Sequence, residues 1–179
     1  MSTLPKTIKS KSIYKNNYLE ILVDTLKLDN KQWEHVHFVK PNENGVAVIP
    51  HKNDKIFLLK QYRHPIKKYL WQIPMGQIEK GQSPEEAAKA ELQEEAGFAA
   101  KSFEKIGIIS AEPGMSSQKE IIYVAKGLSK VSTKRHYNEI VIKARWFDMS
   151  QIDKMIKTSQ IICGFTLSAI LLYKVNYLK

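Results

Sequence analysis

The sequence predicts a mixed α/β sandwich rather than a doubly wound parallel sheet. Three observations carry that expectation. Short strand-like runs recur along the chain, one strongly marked helix interrupts them near the middle, and two further helical stretches follow at the C-terminal end. The 179 residues are 43% hydrophobic and 26% charged, enough for one packed domain or one domain with a small appendage.

Residues 19–28 and 33–40 are alternating apolar segments joined by Asp29-Asn30, a turn signal. Asn42-Glu43-Asn44-Gly45 then breaks the pattern, dividing an N-terminal β-arm, residues 1–44, from a main domain, residues 45–179. Residues 46–49 and 56–59 read as a strand pair across His51-Lys52-Asn53-Asp54. Residues 69–73 form a short strand ended by Pro74. Beyond the central helix, residues 103–109, 120–125 and 139–147 are strand-like, and 151–157 and 164–173 are helical. No internal repeat is present.

Composition removes several classes. The single cysteine, Cys163, excludes an intrachain disulfide framework and a cysteine-based zinc or iron–sulfur cage, and reads as a small buried residue in a reducing cytosol. No apolar run reaches the roughly 18 residues of a membrane span, and Met1-Ser2-Thr3-Leu4-Pro5-Lys6 carries no signal core, so a cytoplasmic protein is expected. His35 and His37 share a strand face without a third ligand nearby and read as structural. Lys and Arg total 28 against 18 acids, a net charge of +10, but the basic residues are scattered, without a basic block or an RNP-like motif. Nucleic acid is therefore not the expected partner, although the basic background suits polyanionic small substrates. The acids cluster instead: six of the 18 fall between Glu79 and Glu95.

That cluster lies on the central helix. Ser83 and Glu86 form a capping box, Pro84 suits the first helical position, and Ala87, Ala88, Ala90 and Leu92 are good helix formers. Gly97 stops the helix, with Phe98 available for the apolar contact just beyond it, so the spacing predicts a helix over 84–96. On it Glu91, Glu94 and Glu95 stand at i, i+3 and i+4, on one face and near the C-terminal end, where both mutual repulsion and the helix dipole disfavour them. Three such carboxylates make a hard oxygen site suited to Mg2+ or Mn2+, with room for substrate phosphates. The alternative is a solvated acidic face. The preceding Gly76 to Gly81 is a glycine-bounded turn feeding the helix. It is not a phosphate-binding P-loop, because Gln82 stands where the lysine belongs.

The stretch GQIEKGQSPEEAAKAELQEEAGF, residues 76–98, resembles the Nudix box: Gly76, Glu91, Leu92, Glu94, Glu95, Gly97 and Phe98 match at the required spacings. Two positions depart. Gln82 replaces the box's first Glu and Ala90 its Arg, a pair that looks like a structural tie between loop and helix. Losing both partners is far cheaper than stranding one charge, so a re-packed loop is expected. The segment from Lys60-Gln61-Tyr62-Arg63 to Leu70-Trp71-Gln72-Ile73-Pro74-Met75, and Pro113 placed 16 residues after Gly97, are similar to the ADP-ribose/ADP-sugar pyrophosphatase branch.

The resemblance implies a Nudix-type α/β/α sandwich with a mixed sheet, preceded by an antiparallel β-arm that joins two subunits of a homodimer. It implies that the Met75 carbonyl with Glu91, Glu94 and Glu95 holds Mg2+ (or Mn2+). Gln72 stands where many relatives carry a further metal-binding Glu. Arg63 would contact the diphosphate, Trp33 would stack on the base, Pro113, Gly114 and Met115 would line the substrate side, and Glu139 would be the general base, with Glu94 and Glu95 beside it in the chemistry. Gln118, in a second candidate base loop, cannot abstract a proton. The implied reaction is hydrolysis of the diphosphate of ADP-ribose or a related nucleoside-diphosphate sugar to AMP and a sugar phosphate. Alternatives are GDP-mannose, the 5′-pyrophosphate of RNA, or a catalytically weak nucleotide-sugar sensor.

Overall fold

A computed structural model describes residues 4–40, 44–135 and 139–178. The chain divides into two compact units, one made of residues 1–43 with 110–119 and the other of residues 44–109 with 120–179. His136, Tyr137 and Asn138, which precede Glu139 in the expected base loop, and Asn42 and Glu43 of the expected break lie outside the described residues.

The first unit holds a three-stranded antiparallel sheet, β1 (Lys6–Lys15), β2 (Glu20–Leu28) and β3 (Lys31–Val39), in that order. β1 is a correction to the sequence reading, which gave those residues no element. Every residue of the strand is exposed, so its side chains never alternate onto a buried face, and its place is set by backbone pairing with β2. The turn into β2 is closed by the Asn16 carboxamide, which accepts from the Tyr18 and Leu19 amides at 2.8 Å each. Segment 110–119 is joined to β3 by a parallel bridge between Phe38 and Ser116 and by the Phe38 amide donating to the Met115 carbonyl at 2.9 Å.

The second unit is the sandwich. Its seven-stranded sheet runs β12 (Val141–Asp148), β5 (Lys55–Arg63), β4 (Asn44–Lys52), β10 (Lys119–Lys126), β9 (Ser102–Ile109), with β6 (Lys68–Gln72) on β5 and β7 (Met75–Gln77) on β4. β8 (Phe98–Ala99) and β11 (Ser129–Lys130) form a separate pair. The β4–β5 hairpin turns through Asn53 and Asp54, both at positive φ, as a twist-compatible two-residue loop requires. The central strands are apolar throughout because both faces are covered. Ala47, Ile49, Ile56, Leu58, Ile122 and Val124 pack with Ile152 and Met155 of α2 (Met149–Lys157) and Ala169, Ile170 and Tyr173 of α3 (Gly164–Tyr177). Their neighbours Val46, Val48, Phe57, Leu59, Tyr123 and Ala125 pack with Ala87, Ala88, Leu92 and Ala96 of α1 (Pro84–Ala96). The expected sandwich is therefore present, with alternate residues of each central strand serving opposite layers.

Local details refine the sequence reading. α2 begins earlier than expected because Asp148 and Gln151 form a second capping box. Gly76 lies in β7 rather than in the expected turn, since Val46 and Gly76 pair across β4 and β7. Cys163 is half-buried at the start of α3, not buried as expected. Among the described residues no helix is long and apolar enough to cross a membrane.

Candidate functional site

α1 begins and ends as its sequence demands. Ser83 and Glu86 close a complete capping box, Pro84 occupies the first turn, and Gly97 ends the helix at φ 70°. Phe98 is buried edge-on against Phe57, with ring centroids 5.0 Å apart. The one lysine inside the helix is committed elsewhere: Lys89 pairs with Glu85 at 2.7 Å, a turn away from the glutamate triplet. In the loop with Gln82, that residue makes a local contact. Gln82 closes its own turn, its carboxamide oxygen accepting from the Glu79 amide at 3.1 Å while its amide donates to the Glu79 carbonyl at 3.0 Å.

Glu91 lies against the backbone of β7. A Cβ on Gly76 would sit 1.8 Å from a Glu91 carboxylate oxygen, so the glycine leaves room for the carboxylate in this position. Glu95 is 3% exposed and accepts from the Met75 amide at 2.9 Å. Burial, followed by the like charges of Glu95 and Glu94, pushes the Glu91 carboxyl up to about 8. Burial also raises Glu95 to about 7, against the downward pull of the Met75 hydrogen bond and of Arg63 and Arg135. Glu139 adds its charge to both carboxyls. It precedes β12, whose entry is fixed by the Tyr62 amide donating to the Ile140 carbonyl at 2.9 Å.

Arg63 and Gln72 belong to the same constellation. Gln72 is fully buried, accepts from the Arg63 Nε at 2.8 Å and donates to the Gln61 carboxamide. A neutral amide there aims the guanidinium rather than adding to the negative charge. Trp33, Pro113, Gly114 and Met115 belong to the other unit. Trp33 is 39% exposed and faces Leu26 across β2 and β3, and Met115 is 48% exposed. Two concavities of the second unit, about 550 Å³ beside His51 and Lys126 and about 640 Å³ beside Phe98 and Trp146, contain none of these carboxylates.

The donor chemistry suits a hard divalent cation: carboxylate oxygens with a glycine cradle beside one of them. Among the described residues no three His, Cys, Asp or Glu side chains close on one point as a finished cage. Mg2+ does not require one, since it keeps waters and takes one or two carboxylates together with substrate phosphates.

Two residues here were not singled out from the sequence. Glu120 is 3% exposed at the start of β10, and a Cβ on Gly45 would lie 2.4 Å from its carboxylate; its charge also acts on Glu91. An acid in step with the core residues Ile122 and Val124 was the available signal. Arg135 donates from Nε and Nη2 to the Glu95 carbonyl at 2.9 and 2.6 Å, a contact across 40 residues that no local pattern announces.

The NUDIX domain family model matches residues 41–162. The chain is 37% identical over 126 residues to a methanol dehydrogenase activator of Bacillus methanolicus, covering 70% of this chain and 68% of the relative. It is 33% identical over 135 residues to an ADP-ribose pyrophosphatase of Bacillus subtilis (strain 168), covering 75% and 72% of the two chains. A crystal structure of an ADP compounds hydrolase superposes with a TM-score of 0.87 at 22% identity, covering 96% of this chain and 92% of that one, which establishes the shared fold. The capped acidic helix, the glycine that makes room for Glu91 and these likenesses agree: the chain belongs to the Nudix family of hydrolases, on the branch that holds the ADP-ribose and ADP-sugar pyrophosphatases.

Proposed function

We propose that this protein hydrolyses the diphosphate of ADP-ribose or a related nucleoside-diphosphate sugar, giving AMP and a sugar phosphate, with Mg2+ or Mn2+ held at Glu91, Glu94, Glu95 and the Met75 carbonyl. The observation that carries this reading is the placement of half-buried Glu91 against Gly76 and of buried Glu95 on the Met75 amide, one helical turn apart, where burial and like charge raise both carboxyls. Such a pair is unfavourable alone and becomes favourable beside a cation. When bound, the divalent ion neutralises the diphosphate and acidifies a water. Arg63, aimed by Gln72, clamps phosphate oxygens. Glu139 takes the proton from the attacking water, and the Met75 amide holds Glu95 in place. Trp33 and residues 113–115 recognise the nucleotide side, and the N-terminal arm, residues 1–44, joins two copies into a homodimer.

The test is incubation with Mg2+ and a panel of ADP-ribose, ADP-glucose, GDP-mannose and 5′-triphosphate RNA, following the phosphate-containing products. AMP release from an ADP-sugar is expected, and Glu95→Gln should lower it at least ~100-fold, the scale of a lost principal charge stabiliser. Preferred turnover of RNA, or none of any substrate, would overturn the reading. The 37% identity to a methanol dehydrogenase activator supports a second reading, activation of an alcohol dehydrogenase. Adding the protein and Mg2+ to a methanol dehydrogenase should raise its rate if that reading holds.

A further inference from the structure

Inside the box this chain has no arginine: Ala90 takes that position, and no basic residue lies in the last turn of α1. The cation at that end comes from outside. The Gly97 amide satisfies the Leu92 and Gln93 carbonyls, the Lys134 amide donates to the Glu94 carbonyl at 3.3 Å, and the Arg135 guanidinium forks onto the Glu95 carbonyl. The Val131 amide donates to the Gly97 carbonyl at 2.9 Å, and a Cβ on Gly97 would meet Thr133 at 2.8 Å. Residues 131–135 therefore form a strap pressed against the turn that carries Glu94 and Glu95. In the sequence, Glu139 follows Arg135 by four residues.

We propose that Arg135 is a positioning residue for the hydrolytic reaction, an inference that rests on the function proposed above. Its two-pronged bond fixes the main chain at Glu95 and offsets the negative helix end, holding the turn that carries Glu94 and Glu95. Ordinary helix capping would stabilise α1 without bearing on turnover. The same helix supplies the control, because Ser83 caps its other end and touches none of the carboxylates of the site.

Steady-state hydrolysis of ADP-ribose by wild type, Arg135→Ala, Arg135→Lys and Ser83→Ala separates these roles, with urea melts alongside. Arg135→Ala should lower kcat at least ~10-fold while KM changes less than ~3-fold, as displacement of catalytic groups does. Arg135→Lys, which reaches the same carbonyl with one ammonium, should recover part of the loss, and Ser83→Ala should keep wild-type kcat despite its lower stability. Wild-type kcat in Arg135→Ala, or an equal loss in Ser83→Ala, would overturn the proposal. Should Arg135→Ala fail to fold, a kcat loss in Arg135→Lys supports it and an unchanged kcat overturns it. A wild type that turns over no ADP-sugar would overturn the parent reading and this one together, whereas an active wild type with an indifferent Arg135 overturns this one alone.

Discussion

The two ends of α1 are built by different means. At the N-terminus Ser83, Pro84 and Glu86 satisfy the helix from within four consecutive residues. At the C-terminus Gly97 is local, but Lys134 and Arg135 arrive from about 40 residues away to take the Glu94 and Glu95 carbonyls. The end built locally carries no chemistry. The end carrying the buried carboxylates needs long-range support, because like charges at a helix C-terminus are unfavourable on their own.

The harshest way to break this asymmetry is Gly76→Ala. Its methyl would overlap a Glu91 carboxylate oxygen at 1.8 Å, so that carboxylate must be displaced or β7 must shift. A kcat loss on the order of 100-fold is expected in a hydrolysis assay. Gly81→Ala is the contrast: φ is 85°, yet nothing lies within 4 Å, so it should cost only about 1 kcal/mol in a urea melt and spare turnover.

Next in size is the pH dependence of the metal-free protein. The folded carboxyls of Glu91 and Glu95 are raised above the ordinary 4.5, so between pH 4.5 and 8 the folded state binds more protons than the unfolded one. Stability should fall as pH rises through that window and level off above it. Melting in EDTA from pH 5 to 9 measures this, and Glu91→Gln should flatten the slope. Added Mg2+ should restore most stability at the upper end, where both carboxylates are ionised.

Two capping variants compare the ends directly. Arg135→Ala removes a charged donor from two bonds and should cost about 2 kcal/mol in a urea melt. Ser83→Ala should cost about 1 kcal/mol. A reversed order would mean that the strap contributes less than the local cap.

The legibility of the fold follows the same division. Runs such as 46–49 and 56–59 announce central strands because both of their faces are buried, and α1 announces itself through its caps. β1 is silent, since Lys6–Lys15 is exposed throughout and only backbone pairing defines it. At the site, the triplet spacing, Gly76 and Arg63 were readable as residue types in a pattern. Arg135 was not, since it meets the Glu95 carbonyl only when a distant loop is brought to the helix end, and Glu120 was readable only as an acid in step with core residues, not by its approach to Gly45. Gln72 was readable as a position but not as a part: its buried amide orients Arg63, a role that only the hydrogen bonds disclose.

Segment 110–119 belongs to the unit formed by the first 43 residues, although its flanks, β9 and β10, run in the large sheet. A gene trimmed to begin at residue 41, where the family match starts, would delete the Phe38 amide and with it the donor that the Met115 carbonyl now accepts from. The minimal hydrolase drawn from family boundaries is thus a different molecule from the natural one, with a hairpin tip bereft of its neighbour strand.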